Sequence, residues 1–171
     1  MAYQFIVEDG SGVPGANSYV TVEEADDYLV QNIHVSEKWA ALDTNTKQYL
    51  LSWASRYLDQ HARWSGYPTY PSARLKWPRS YVRVDGQLID PHTIPQPIKD
   101  ATCELARYLL ENDLGDVREQ DGLEKIKVDV IEIVFRSGYK LPKMPPELQW
   151  MLAGYGYLTG SGSTFAPIRR A

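Results

Sequence analysis

At 171 residues, with 43% hydrophobic content and a formal net charge of -4, the chain has material for one domain with its own apolar core. It holds no run of the roughly 18 apolar residues that a transmembrane helix needs, and Met1–Asp9, with Glu8 and Asp9, lacks the basic start and long apolar stretch of a signal peptide. Cys103 is the single cysteine, which excludes an internal disulfide and suits cytosolic synthesis, while the mild acidity gives no global pull towards nucleic acid.

Gly10 to Ser18 is rich in Gly and Pro and reads as a loop. Thr21 then opens a first helix: Thr21 and Glu24 have capping-box spacing, in which each side chain satisfies the other's free backbone N–H. Val22, Ala25, Tyr28, Leu29 and Ile33 recur at helical spacing and form its expected buried face. Ser36 is placed to cap a short turn carrying Trp39 and Leu42. Asn45 and Gln48 form a weaker capping pair for a second long helix, whose apolar face is Leu50, Leu51, Ala54, Tyr57, Leu58 and Ala62, ending near Arg63.

No period holds from Trp64 to Pro97. Pro68, Pro71, Pro78, Pro91, Pro95 and Pro97 remove backbone donors and exclude a long helix. An insertion of this length usually has a functional reason. Within it, Asp85-Gly86 is a hairpin turn signal, with Tyr81–Val84 and Gln87–Ile89 as its short strands. A third long helix starts near Pro97, with Ile98, Ala101, Leu105, Ala106 and Leu109 inward, and Gly115 closes the region.

Lys125 to Phe135 is the strongest β signal. Ile126, Val128 and Val130 share one parity and Ile131, Ile133 and Phe135 the other, which implies a turn or bulge near Asp129-Val130. Pro145-Pro146 introduces a last helix with Leu148, Leu152 and Tyr155 inward, weakened by Gly154 and Gly156. Residues 159–171 are too polar and short to fold alone and read as a flexible tail or one ordered by a partner.

The residues that carry enzyme chemistry are missing from the pattern. There is no phosphate-cradling loop and no dinucleotide fingerprint; Gly10-Ser11-Gly12 is a lone fragment. His34, His61 and His92 lack metal-ligand spacing, and one cysteine does not complete a zinc site. Cys103 sits among core positions of a helix and reads as an inert buried thiol. Glu23-Glu24 and Asp26-Asp27 lie in the first turns of a helix, where the macrodipole explains acids without catalysis. The expectation is a non-enzyme with no catalytic residue, no metal and no cofactor.

One stretch stands out. From His61 to Arg83 the chain carries Arg63, Arg74, Lys76, Arg79 and Arg83 and no Asp or Glu, so against a total of -4 the remaining residues sum to -9. Trp64, Tyr67, Tyr70, Trp77 and Tyr81 are interleaved with the cations. Cations that track phosphates beside rings that stack on bases are what a single-stranded nucleic-acid groove needs. Arg and aromatic residues are equally the preferred anchors of protein interfaces, and the sequence leaves both readings open. Twelve tyrosines, each an apolar ring with a polar tip, fit an assembly surface.

The order of motifs resembles the small head–tail connector, or head-completion adaptor, proteins of tailed phages, in particular the subset labelled DnaT-like single-stranded-DNA-binding proteins. The resemblance is carried by Gly15-Ala16-Asn17-Ser18-Tyr19-Val20-Thr21 with Glu24-Ala25-Asp26-Asp27-Tyr28-Leu29, by Trp39-Ala40-Ala41-Leu42-Asp43, and by Ala54-Ser55-Arg56-Tyr57-Leu58-Asp59. Trp64-Ser65-Gly66-Tyr67, Leu75-Lys76-Trp77-Pro78-Arg79, Ile94-Pro95 and Ile98–Ala106 follow, then the ribbon Ile126-Lys127-Val128 to Ile131-Glu132-Ile133. It covers roughly residues 15–158, and departs at Asp129-Val130, where such proteins often carry glycine at the turn.

The resemblance implies a mainly α fold: a small helical bundle with a long irregular insertion at 64–97, a β ribbon at 125–135 and an extended C-terminal tail, with 1–158 as a single adaptor domain. It implies a structural subunit copied around a ring of about twelve beneath the portal, in the neck of the virion, with duplex DNA passing through without sequence reading and with no membrane partner. The portal protein and the next tail or neck protein are then the other partners. On this reading Trp64, Tyr67, Tyr70, Trp77, Arg79 and Tyr81 meet neighbouring subunits or the tail. Phe165, Ile168, Arg169 and Arg170 dock on the portal, and Arg63, Arg74, Lys76 and Arg83 are the candidates for DNA contact. The alternative function is a single-stranded-DNA-binding accessory of replication.

Overall fold

The computed structural model describes residues 3–112 and 144–159, together with the backbone of the strands at 125–128 and 131–134. The fold is mainly α with small antiparallel strand pairs, as the sequence implies. No helix among the described residues is long and apolar enough to cross a membrane.

Helix α1 (Val22–Leu29) begins at the expected capping box: the Glu24 N–H donates to Thr21 Oγ1 at 3.1 Å and the Thr21 N–H to Glu24 Oε2 at 2.8 Å. Ala25 and Leu29 are buried, but Ile33, expected on the same face, lies beyond the helix end and is 81% exposed. The helical period stops at Leu29, so its spacing no longer applies four residues on. Helix α2 (Ser36–Ala40) buries Trp39, yet its N-cap is Val35 and no side chain caps it, so Ser36 does not play the expected part.

Helix α3 (Thr44–His61) buries Leu50, Leu51, Ala54, Tyr57 and Leu58, the stripe the spacing predicts. Its cap is Asp43, whose carboxylate accepts from the Thr46 N–H at 3.1 Å and the Thr46 hydroxyl at 2.6 Å. The pair Asn45 and Gln48 is thereby displaced, because the helix starts one residue before Asn45. Helix α4 (Gln96–Glu111) follows Pro95 and buries Ile98, Ala101, Leu105, Ala106 and Leu109. It packs along α3, and helix α5 (Pro146–Met151) packs on α4 through Leu148. Tyr155 falls in the turn after α5, half-buried against the core.

Strand β1 (Ala62–Trp64) leaves α3 directly and pairs antiparallel with the last strand, β8 (Gly156–Leu158), placing Arg63 opposite Tyr157. This pairing has no counterpart in the expected layout. In the insertion, β2 (Tyr67–Pro68) pairs with β3 (Arg79–Ser80), and β4 (Arg83–Val84) pairs with β5 (Gln87–Leu88). Asp85 and Gly86, between β4 and β5, have φ of 50° and 80°, the two left-handed residues that a type I′ turn requires. Strands β6 (Lys125–Val128) and β7 (Ile131–Val134) pair antiparallel with Val128 opposite Ile131, which accounts for the switch in apolar parity; Asp129 and Val130 themselves, like Gly115, lie outside the described residues.

Candidate functional site

The motifs that contain Tyr19, Asp59, Trp64 and Lys76-Trp77 meet at one buried carboxylate. Asp59, in the last turn of α3, is 6% exposed and accepts from the Tyr19 hydroxyl at 2.8 Å, from Trp64 Nε1 at 3.0 Å and from the Lys76 N–H at 3.0 Å. The Tyr19 oxygen in turn accepts from the N–H groups of Lys76 at 3.1 Å and Trp77 at 3.2 Å. Lys76 Nζ donates to the Asp59 carbonyl. Burial raises the Asp59 carboxyl above its ordinary range, opposed by the donors of Tyr19, Lys76 and Trp64. Burial first, and then the Asp59 charge, pushes the Tyr19 phenol well above its usual value. Tyr19 is held in turn by Ser55, whose Oγ accepts its N–H at 3.1 Å. Asn17 closes the N-terminal arm by accepting from the Ile6 N–H at 3.0 Å and donating to the Gln4 carbonyl at 2.6 Å.

Arg79 does the same for the insertion. Its guanidinium donates to three backbone carbonyls: Ser65 at 2.6 Å, Gly66 at 2.7 Å and Lys76 at 3.2 Å. Trp77 is fully buried, with its ring edge-on to Trp64 at 5.8 Å and to Tyr155 at 6.0 Å. Its Nε1 has no hydrogen-bond partner among the described residues.

Trp77 and Arg79, expected at an interface, are buried within the chain itself. Trp64 is half-buried and committed to Asp59 and Trp77. Tyr70 is half-buried, with its hydroxyl 3.0 Å from His92 Nδ1. Only Tyr67 and Tyr81 stand clear, 72% and 78% exposed, their rings edge-to-face at 6.4 Å. Of the DNA-contact candidates, Arg63, Arg74, Lys76 and Arg83 are all exposed, though Arg83 lies on the far hairpin and bonds the Gly86 carbonyl. Phe165, Ile168, Arg169 and Arg170 lie outside the described residues.

Behind the hub runs an open groove of about 740 Å³ between the outer face of α3, the N-terminal arm and the 74–76 segment. Tyr49, Trp53, Arg56 and Gln60 follow one another at three- and four-residue steps along α3, opposite its apolar stripe, and all four line it. Tyr3 packs edge-on to Tyr49 at 4.7 Å and is pinned by its hydroxyl, 2.6 Å from Ser52 Oγ. Arg74 and Lys76 form the opposite wall. A smaller groove of about 490 Å³ shares Arg74, Leu75 and Lys76 and continues to Arg63, Trp64 and Tyr70. Among the described residues no carboxylate pairs with Arg56, Arg63 or Arg74; the ion pairs are Lys38–Glu111, Lys47–Asp26, Lys99–Glu24 and Arg107–Glu104. Tyr3, Tyr49, Trp53 and Arg56 were not among the sequence candidates. Their signal was present as the aromatic and basic stripe on the polar side of α3.

The remaining candidates resolve into structural roles. Asp26 accepts from Trp39 Nε1 at 2.6 Å and pairs with Lys47 at 2.9 Å, joining α1 to α2 and α3. Cys103 is buried, and desolvation drives its thiol far above the range in which a thiolate forms. Among the described residues no three His, Cys, Asp or Glu side chains gather as metal ligands would.

The profile of a family described as “Putative DnaT-like ssDNA binding protein” matches residues 3–171. The chain belongs to this family. Searches of curated proteins and of solved structures returned no match. The match of the DnaT-like family takes in the N-terminal arm, the Asp59 hub and the insertion alike.

Proposed function

We propose that the protein is a structural head-to-tail adaptor subunit of a tailed bacteriophage, assembled as a ring under the portal that attaches the tail and lets DNA pass. The observation that carries this reading is the Tyr67–Tyr81 pair. Two large rings are held in water on a segment braced from behind by Trp77 and Arg79, and Tyr81 has a φ of 61°, a left-handed conformation that a bulky residue rarely adopts. Rigid exposed aromatics of this kind are typical anchors of protein interfaces, and a ring needs two different complementary surfaces on each subunit. The order of motifs, which resembles connector proteins, supports the same reading.

Co-expression with a portal protein, followed by native mass spectrometry, tests it. The wild type is expected to form a closed ring on the portal, and the double variant Tyr67→Ala/Tyr81→Ala to remain folded but unassembled. Removal of 160–171 is expected to weaken portal binding alone, by the loss of Phe165, Ile168, Arg169 and Arg170. A wild-type chain that stays monomeric with the portal present rules the adaptor reading out.

A second reading, a single-stranded-DNA-binding accessory of replication, is favoured by the family description and by Arg56, Arg63 and Arg74, which have no carboxylate partner among the described residues and lie beside exposed rings. It requires oligonucleotide affinity that falls steeply with salt. Genes for portal, capsid and tail proteins beside this one favour the adaptor; replication genes favour the second reading.

A further inference from the structure

We infer that the groove between the outer face of α3 and the 74–76 segment is a binding site for a single-stranded polynucleotide, with Arg56 and Arg74 on its phosphates and Tyr49 on its bases. The inference rests on the nucleic-acid reading and gives it a place other than the Trp64 and Trp77 rings, which are turned into the hub. Three independent features converge on this groove. Its cations are free: Arg56 and Arg74 are exposed, face the same groove from opposite walls, and have no carboxylate partner among the described residues. Its rings are available: Tyr49 is 52% exposed and held edge-on by Tyr3, leaving ring surface open to solvent, and Trp53 lines the floor one helical turn further on.

The third feature is the state of its one acid. Asp59 lines the groove, but its carboxylate is saturated by Tyr19, Trp64 and the Lys76 N–H, so its oxygens are turned to the hub rather than to the groove. A polyanion therefore meets Arg56, Arg74 and Lys76 with the local negative charge already engaged. The stripe from Tyr49 to Gln60 extends about 16 Å along the helix, and the adjoining groove extends the cationic wall past Arg74 to Arg63. Rings on α3 facing cations on both walls suit a sequence-tolerant single strand, in which stacking and phosphate contacts provide the affinity.

Fluorescence anisotropy of a labelled oligothymidylate with the full-length chain, titrated against potassium chloride, tests the site. Arg56→Ala/Arg74→Ala is expected to weaken binding at least tenfold and to make the slope of log affinity against log salt shallower by about 1.4, two phosphate contacts on a single strand. Tyr49→Ala is expected to weaken binding about fivefold or more with the salt slope unchanged, the mark of lost stacking. Arg56→Lys/Arg74→Lys keeps both charges and is expected to hold most of the affinity. Lys38→Ala, on α2 and lining neither groove, is expected to bind as the wild type does. If the wild type binds but the groove variants match it, the site assignment falls and the nucleic-acid reading stands. If the wild type shows no salt-dependent binding, both fall.

Discussion

The Tyr19 hydroxyl and the Asp59 carboxylate, 2.8 Å apart and both buried, tie the segment after the N-terminal loop to the end of α3. The same phenol oxygen receives the Lys76 and Trp77 N–H groups, so one atom joins three parts of the chain. Tyr19→Phe keeps the ring and removes that oxygen. It leaves the Trp77 N–H without its acceptor, the Lys76 N–H with Asp59 alone, and Asp59 short of a donor. Leaving buried polar groups unsatisfied costs about 1–3 kcal/mol, and urea denaturation should show a loss of that order with an unchanged m-value. A variant as stable as the wild type shows that water replaces the phenol without cost.

Asp59 also sets a pH dependence that runs opposite to the usual acid behaviour of a paired carboxylate. Burial raises its folded-state pKa above the ordinary unfolded value, so the folded state holds a proton that the unfolded state has already released. The stabilisation from this titration is fully present below the unfolded value and is lost as pH rises through the folded one. Asp59→Asn cannot titrate. The stability gap between wild type and variant should therefore be wider near pH 4 than at pH 7, read from denaturant midpoints at the two pH values. A gap that narrows on acidification means that the donors of Tyr19, Lys76 and Trp64 outweigh burial.

Among the described residues Arg79 bonds only backbone, through the carbonyls of Ser65, Gly66 and Lys76. A lysine ammonium cannot span them in the plane that the guanidinium uses. Arg79→Lys should lose about 2–4 kcal/mol, on the scale of one to two hydrogen bonds from a charged donor. The neighbouring Gly66 has a φ of 66°, and a Cβ there would overlap the Ser80 carbonyl oxygen. Gly66→Ala should be at least as damaging as Arg79→Lys in thermal melting. A mild effect at both positions shows that the insertion is not braced in this way.

What the sequence made legible is what local spacing encodes. The apolar stripes of α3 and α4, the Thr21–Glu24 box and the Asp85-Gly86 turn depend on residues a few positions apart, and all are present. The β6–β7 ladder was legible for the same reason. The inward turn of Trp77 and Arg79 was not, because their partners are the Asp59 hub and the carbonyls of Ser65 and Gly66, which the fold alone brings near. The β1–β8 pairing joins segments far apart in the chain, and β8 has only three residues. Read by composition, the basic and aromatic stretch from His61 to Arg83 was a surface; in the fold its tryptophans brace the interior, and the exposed groove draws half its wall from α3.

The start of α3 offers a direct contest between a sequence pattern and the fold. Asn45 and Gln48 have capping spacing, yet Asp43 caps the helix through the Thr46 hydroxyl and N–H. Those two bonds, the hydroxyl first, hold the Asp43 carboxyl below its ordinary range. A carboxyl whose folded pKa is depressed contributes stability above its unfolded value, and that contribution is lost as pH falls through the folded one. Asp43→Ala should therefore lower the melting temperature at pH 7, and the difference from wild type should shrink as pH falls through the folded-state titration of Asp43. Asn45→Ala should be nearly neutral at either pH, because Asn45 sits inside the first turn, where alanine is the better helix former. If Asn45→Ala is the damaging substitution and Asp43→Ala the silent one, the helix begins where the spacing alone put it, and the cap at Asp43 is wrong.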